Sequence, residues 1–359
     1  MSDKTTIQFI SRAYPPILGG IENQNKAVHD HLCKHKIVRS IINKYGKKAL
    51  PIFLPWAILK SLFDTSKTTL LGDGVLAIIP WIVKKLNSKK YYICIVHGLD
   101  ITFPSRLYQK LWVKTFFSSI DHFIAVSQHT KDILIDKGIN RKDITVVHNG
   151  FDFSDVTYKP DRNKIDLLLG EKTKNKILLL TLGRIVKRKG VKWFITNVLP
   201  ELNPAIIYII AGSGGGTEAE EIKIIIKEKK LSDQVKYLGQ VTNSEKEILL
   251  SNCDCFIQPN IKVMNDVEGF GISVIEASAY SLPVIAANLE GLRDAIHDNQ
   301  NGWLVESGNK VEFINIIKYT LEKPEQLKEF GLKFKNYSQS QFDWKQIIQK
   351  YIRVIDNLD

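Results

Sequence analysis

The stretch EGFGISVIEASAYSLPVIA, residues 268–286, reads as a turn, a helix and a strand in succession. Gly269 and Gly271 can leave backbone N–H groups open to a close-packed ligand, and ISVIEASAY has the character of a helix entered from that turn. The aliphatic run LPVIAAN then supplies a strand. Outward from this segment the same alternation recurs. In the first half the strand-like runs are TIQFIS, VRSIIN, TLLGD, YYICIVHG, HFIAVS and ITVVHNG. In the second half they are KILLLTLG, IIYIIAGSG, VKYLGQV, CDCFIQP, LPVIAAN and GWLVE. Each is followed by a loop and an amphipathic stretch, which predicts parallel sheets covered by helices, an α/β fold with two Rossmann-like domains.

Length agrees. A chain of 359 residues is longer than the ~250–300 that one hydrophobic core usually serves. The polar, turn-prone segment FDFSDVTYKPDRNKIDLLLGEKTKNK is the expected boundary, giving domains over 1–158 and 159–340. The terminal residues 341–359 carry helical spacing in Trp344, Ile347, Ile348, Tyr351, Ile352 and Ile355, and are expected to pack back toward the first domain.

The formal net charge is +12, unevenly placed: residues 1–160 hold 23 Lys+Arg against 12 Asp+Glu, and residues 161–359 hold 27 against 26. A basic first half suits an anionic partner such as a membrane surface, a nucleic acid or a phosphorylated substrate, and equally suits a solvated lysine-rich surface. No zinc-finger spacing or other nucleic-acid module accompanies the charge, so nucleic acid is not expected as a partner. Two stretches, KKALPIFLPWAILKSLF and WIVKKLNSKKYY, mix aromatics, aliphatics and lysines as peripheral membrane segments do, and core helices with lysine rims read the same way.

Cys33, Cys94, Cys253 and Cys255 make no disulfide framework and read as core thiols of a reducing compartment, the last two on one face of a strand. The start MSDKTTIQFISRAYPP lacks a signal-peptide core, and no run of 18 apolar residues occurs. The expected location is the cytoplasm, with the inner face of the cytoplasmic membrane as the peripheral alternative.

Open α/β sheets bind ligands beyond the carboxyl ends of their strands, where helix N-termini offer N–H groups to phosphates. In TLGRIVKRKGV, Arg184 follows a strand end and Lys189 comes five residues later. Two cations on one such loop can neutralise a diphosphate, and the plain alternative is a solvated basic loop. In EGFGISVIE, counting eight helical residues from Glu268 to Glu276 puts both carboxylates toward one cleft, able to grip sugar and ribose hydroxyls. Alternatively Glu268 caps the helix and Glu276 is a surface charge.

With these segments in order along nearly the whole chain, the sequence resembles the retaining, GT-B-fold glycosyltransferases of glycosyltransferase family four. The series runs YPPILGGIE, HGLD, AVSQHTKD, VVHNGFD, GRIVKRKG, AGSGGG and EGFGISVIEA. The resemblance implies a GT-B fold, two Rossmann-like domains facing across a cleft, and transfer of a sugar from a UDP- or GDP-sugar donor to a saccharide or lipid-linked acceptor in surface polysaccharide or lipopolysaccharide synthesis. It implies that Arg184 and Lys189 hold the diphosphate and stabilise its charge as it leaves, that Glu276 binds ribose, that Glu268 with the backbone of Gly269, Phe270 and Gly271 grips the donor sugar, and that Ser273 is among the donor-binding residues. Gly19 and Gly20 match the glycine turn beside the diphosphate, His97 a histidine near the reacting sugar, and Gly212 a loop bordering the nucleotide. Ser281, Glu290 and Asn299 depart from the family pattern where glycine is usual.

No two aspartates stand two residues apart, so the Asp-x-Asp metal motif is missing and no metal or other cofactor is expected. Two other readings remain open at this level: a nucleotide-sugar epimerase on a similar scaffold, and an inactive subunit that recruits a partner transferase.

Overall fold

Alternating strand and helix signals resolve into two parallel sheets in the computed structural model, which describes residues 6–17, 19–86, 89–156, 159–214, 216–321 and 324–357. Each of the twelve runs named above overlaps a strand. The first six are β1 (Thr6–Ser11), β2 (Ile37–Ile42), β3 (Thr68–Leu71), β4 (Tyr91–Val96), β5 (His122–Ala125) and β6 (Ile144–Val146), ordered β2-β1-β3-β4-β5-β6. The second six are β7 (Ile177–Leu182), β8 (Ile206–Ala211), β9 (Val235–Gly239), β10 (Cys255–Gln258), β11 (Val284–Ala287) and β12 (Trp303–Val305), ordered β12-β11-β10-β7-β8-β9. Every pairing is parallel. The central strands are buried throughout, which is why they read as continuous aliphatic runs instead of alternating ones.

Helices begin where the sequence offers caps. Thr242 accepts the Glu245 N–H while the Glu245 carboxylate accepts the Thr242 N–H, a capping box that starts helix Asn243–Asn252. Asp343 caps the terminal helix Trp344–Asp356 by accepting the Lys345 N–H at 2.8 Å.

The chain forms two compact units. The first comprises Met1–Gly150, Asn265–Phe270 and Phe342–Asp359, the second Phe151–Met264 and Gly271–Gln341. The sequence boundary at 158 falls on residues 157–158, outside those described.

The terminal helix is part of the first unit. Trp344 stacks on His31 with ring centroids 5.2 Å apart, and a Cβ on Gly150 would come within 2.6 Å of its ring. Ile347, Ile348, Tyr351 and Ile355 are buried with it, as is Val354, whereas Ile352 is only half-buried. In the second unit Phe194 lies between Tyr208 and Phe313 in the core, at 4.7 and 6.3 Å.

Two local expectations fail. Cys33 is exposed on helix α1 (Gly20–Cys33), because it falls on the outward side of the turn that buries Leu32. Cys253 lies ahead of β10, which begins at Cys255, so the two do not share a strand face; both are buried.

Ser281, Glu290 and Asn299, the three departures from usual glycines, all have left-handed backbones with φ of 59°, 51° and 61°. The turns keep glycine geometry without glycine, at a cost of about 1 kcal/mol each for an L-residue.

Candidate functional site

The predicted residues lie at the carboxyl ends of the strands of both sheets, one set in each unit.

In the first unit Gly19 is the N-cap of α1 and Gly20 its first residue, nine residues after β1 ends at Ser11. From α1, Asn25 donates to Ser11 Oγ at 3.0 Å and to the Ala13 carbonyl at 3.1 Å, folding the intervening loop back over the strand end. The same amide lies against Gly72, where a Cβ would meet Asn25 Nδ2 at 2.8 Å. His97 follows β4, and its Nε2 donates to the Gly72 carbonyl at 3.0 Å. A carbonyl can only accept, so Nε2 carries a proton, which leaves Nδ1 as the acceptor whenever the ring is neutral. The His97 and Gly74 N–H groups both donate to Asp100, at 2.9 and 3.0 Å. One carboxylate thus ties the loop after β3 to the loop after β4.

Asp100 is buried, and burial raises its pKa against the opposing pull of His97 and the Gly74 N–H. Beside it Arg12 Nε donates to Asp73 Oδ1 at 2.9 Å, an ion pair whose carboxylate is fully buried. Burial works to lower the Arg12 pKa, and the Asp73 charge and hydrogen bond outweigh it and raise the value.

The segment Asn265–Phe270 joins this cluster. Thr102 Oγ1 donates to the Asn265 carbonyl at 3.3 Å, and Gly98 faces Val267 and Gly269. A Cβ on Gly269 would stand 2.1 Å from the His97 carbonyl oxygen, so only glycine lets the EGFG turn lie on the histidine loop. Phe270 anchors the turn from the other side: its ring is buried, stacked on His148 at 5.3 Å and edge-on to Phe342 at 5.6 Å. Glu268 is buried within the segment.

This overturns the helical count from Glu268 to Glu276. The helix runs from Ile272 to Ala279 with Gly271 as its N-cap, so Glu268 is neither on it nor its cap. The Gly269 approach and the Phe270 anchor hold Glu268 in the first unit, while Glu276 belongs to the second.

In the second unit Arg184 is exposed just past β7, and Lys189 is buried at the end of a short 3₁₀ turn. Lys189 Nζ lies 4.0 Å from the Cβ position of Gly183. Gly212, after β8, presses on the same spot: its Cβ would come within 1.8 Å of the Gly183 carbonyl oxygen, and its φ is +143°. Arg184, Lys189 and Gly212 are therefore gathered around the end of one strand. The next strand end connects to them, because the Ile261 N–H donates to the Arg188 carbonyl at 2.9 Å. There Ser273, in the first turn of helix Ile272–Ala279, has Oγ 3.4 Å from Gln258 Oε1. Glu276, half-buried on this helix, pairs with Lys246 of helix Asn243–Asn252. It is not a free surface charge.

Sequence reading missed Arg12, Asp73, Asp100 and Lys246. Asp100 had a local signal: an Asp three residues after a strand-end His, at the start of a helical turn, is placed to accept that residue's N–H. Arg12–Asp73 and Lys246–Glu276, 61 and 30 residues apart, had none. Among the described residues no group of three or more His, Cys, Asp and Glu could hold a metal ion, and no helix is long and apolar enough to cross a membrane.

Two six-stranded parallel sheets in one chain are the GT-B fold, shared with the solved glycosyltransferases described below. The chain belongs to the group 1 glycosyltransferases and is an enzyme of that transferase type: residues 169–337 match the family described as glycosyl transferases group 1, and residues 27–155 match glycosyltransferase family 4. It is similar to an uncharacterized glycosyltransferase of Methanocaldococcus jannaschii, 26% identical over 78% of this chain and 72% of that protein. It is also similar to the N,N'-diacetylbacillosaminyl-diphospho-undecaprenol alpha-1,3-N-acetylgalactosaminyltransferase of Campylobacter jejuni, 25% identical over 68% of this chain and 62% of that protein. Among solved structures, Anabaena HepE in complex with UDP superposes with a TM-score of 0.82 at 19% identity, over 99% of this chain and 100% of that one. HepE has been solved with UDP-glucose as well.

Proposed function

We propose that this glycosyltransferase moves a hexosyl group from a UDP- or GDP-sugar to a saccharide or lipid-linked saccharide, with retention of configuration and without a metal ion, in the synthesis of a surface polysaccharide or lipopolysaccharide. The observation that carries the donor half is the cationic rim at the end of β7. Arg184 and the buried Lys189 flank Gly183 on a loop, Gly183–Gly190, that contains no carboxylate. Fixed cations aimed at a departing diphosphate supply the charge stabilisation that a metal supplies elsewhere.

In the proposed reaction the bond from the sugar's anomeric carbon to the diphosphate oxygen breaks. The acceptor oxygen bonds to that carbon on the same face, and its proton passes to the leaving phosphate. Glu276 accepts from the ribose hydroxyls once Lys246 yields part of its hold. Glu268 and the Gly269–Gly271 backbone address the donor sugar, with Ser273 and Gly212 completing the donor-binding set and Gly19 and Gly20 approaching the diphosphate. His97, with Nδ1 as its free acceptor, addresses a hydroxyl near the reacting carbon. The first unit takes the acceptor, and its basic surface meets an anionic membrane at the cytoplasmic side.

Support for the donor class comes from HepE, which is held with UDP and UDP-glucose. Support for a lipid-linked acceptor comes from the name of the Campylobacter relative. The test is a binding and hydrolysis screen against UDP-, GDP- and ADP-sugars, with and without EDTA. Turnover that survives EDTA and is lost in Arg184→Ala is the expected outcome. Binding of no nucleotide sugar, or indifference to Arg184→Ala, overturns the proposal, and loss with EDTA overturns its metal-free part.

A further inference from the structure

We infer that helix α2 (Leu50–Phe63) is a membrane-docking element: its outer face inserts into the headgroup boundary of an anionic bilayer, flanked by lysines. This deepens the membrane contact proposed above and stands apart from the donor chemistry.

The sequence LPIFLPWAILKSLF is apolar on both sides of the helix. The inner side does the ordinary work of a covering helix, with Phe53 and Ala57 buried in the core of the first unit and Leu54, Ile58 and Leu62 packed against it. The outer side repeats at four, three and four residues: Ile52, Trp56, Leu59 and Phe63 are 79%, 43%, 54% and 78% exposed. Those spacings place all four on one face. A helix apolar all round is expected inside a protein or in a membrane, and the outer face of this one has no protein cover among the described residues.

Charge names the occupant. Between Asp30 and Asp64 the chain has seven Lys+Arg and no acidic residue. Lys44, Lys47 and Lys48, all exposed, precede the helix, and Lys60 sits among its outer residues. Helix α3 (Ile78–Leu86) packs beside α2 and continues the pattern, with Leu86 exposed and Lys85 over the Trp81 ring at 3.4 Å. Across residues 31–120 fifteen Lys+Arg face three Asp, an excess equal to the net charge of the whole chain. Of those three, Asp73 and Asp100 are buried.

A water-facing surface would not carry four large apolar side chains in register, and a docking site for a neutral protein would not need the acid-free surroundings. Apolar anchors ringed by lysines suit an interface of hydrocarbon beneath anionic headgroups. At 14 residues the helix is shorter than the ~20 needed to span, so it lies in the plane of the surface.

The test is co-sedimentation of the full chain with vesicles of phosphatidylcholine alone and with phosphatidylglycerol added, at low and high salt. Binding is expected only with the anionic lipid. Lys47→Glu/Lys48→Glu should weaken it by about 25-fold or more, each lysine at such a surface being worth about five-fold. Ile52→Glu/Leu59→Glu should weaken it at least ten-fold while leaving UDP binding and the melting temperature unchanged, since both positions face outward.

Binding that Ile52→Glu/Leu59→Glu leaves intact would mean charge alone, and would overturn the insertion. Failure to sediment with anionic vesicles would overturn the docking altogether, as would a dimer in vesicle-free solution that the same variant dissolves. In each of those cases intact donor hydrolysis would leave the transferase chemistry standing.

Discussion

The two sheets share strand number and parallel pairing, yet their carboxyl ends differ in chemistry. The first ends in buried carboxylates: Asp73 holding Arg12, and Asp100 holding the backbones of His97 and Gly74. The second ends in Arg184, Lys187, Arg188 and Lys189 on one loop without an acid. The scaffold sets where loops gather, and the loops set the sign of the field. A cationic rim suits a diphosphate; a histidine whose backbone is braced by the Asp100 carboxylate suits the uncharged hydroxyls of a sugar. That contrast is the physical basis for the proposal that the donor phosphates bind the second unit.

The hardest blow to the contrast is Arg184→Ala. Removing one fixed donor to a developing charge costs about 10²- to 10³-fold in turnover, and kcat/KM for the nucleotide sugar should fall by that amount. A change confined to the KM of the acceptor would break the division. Next in size is Asp100→Asn. The new amide would point a donor at either the His97 or the Gly74 N–H, and leaving a buried N–H unpaired costs about 1–3 kcal/mol of stability. Urea denaturation measures that loss, and kcat should drop with the displaced His97 while nucleotide affinity holds. Equal losses in both would mean that Asp100 serves the whole fold instead of the histidine loop.

The same variant sharpens the comparison through pH. Because burial raises the Asp100 pKa above its ordinary 3.8, the native state holds the extra proton in the interval between the two values. Below 3.8 both native and unfolded chains are protonated and the group costs nothing. As pH rises through the interval the unfolded chain ionises while the fold keeps its proton, which progressively lowers stability. Stability of the natural protein relative to Asp100→Asn should therefore decline from pH 4 upward, measured as the difference between urea midpoints. A flat difference would show that Asp100 ionises as easily in the fold as out of it.

The smallest effects concern backbone strain. Among the described residues six non-glycines have positive φ: Asn175, Lys230, Ser281, Glu290 and Asn299 in the second unit and Asn265 in the first. Ser281→Gly should raise stability by about 0.5–1 kcal/mol, and Asn299→Gly by less, since Asn tolerates the left-handed region. A calorimetric melt resolves both. Loss of stability in Ser281→Gly would mean that its side chain contributes more than its backbone costs.

Much of this was legible before any coordinates. The strands could be read because both faces of each central strand are buried, and a run such as ILLLTL fits a sheet covered on both faces. Arg184, Lys189 and Gly212 could be placed at strand ends for the same reason. Glu268 could not be placed. The helical count back from Glu276 ran through the glycine turn, and the position of the segment is decided by Gly269 fitting under the His97 carbonyl and by Phe270 stacking on His148, contacts 172 and 122 residues distant in sequence. The outer face of α2 was equally out of reach. Sequence gives the order of apolar residues around a helix, but which of two apolar sides meets the core depends on the angle at which the helix lies on the sheet.

By itself, then, the sequence determined the local terms: strand, helix and turn propensities, the acid-free basic stretches, the cationic loop and the absence of an Asp-x-Asp pair. These depend on neighbours within a few residues and survive reading along the chain. Tertiary structure decided which charges are paired, which carboxylates are buried, to which unit Glu268 belongs and which apolar surface is left facing water. Each of those is a property of groups brought together from distant positions, where burial and hydrogen bonding, not residue identity, set the energy.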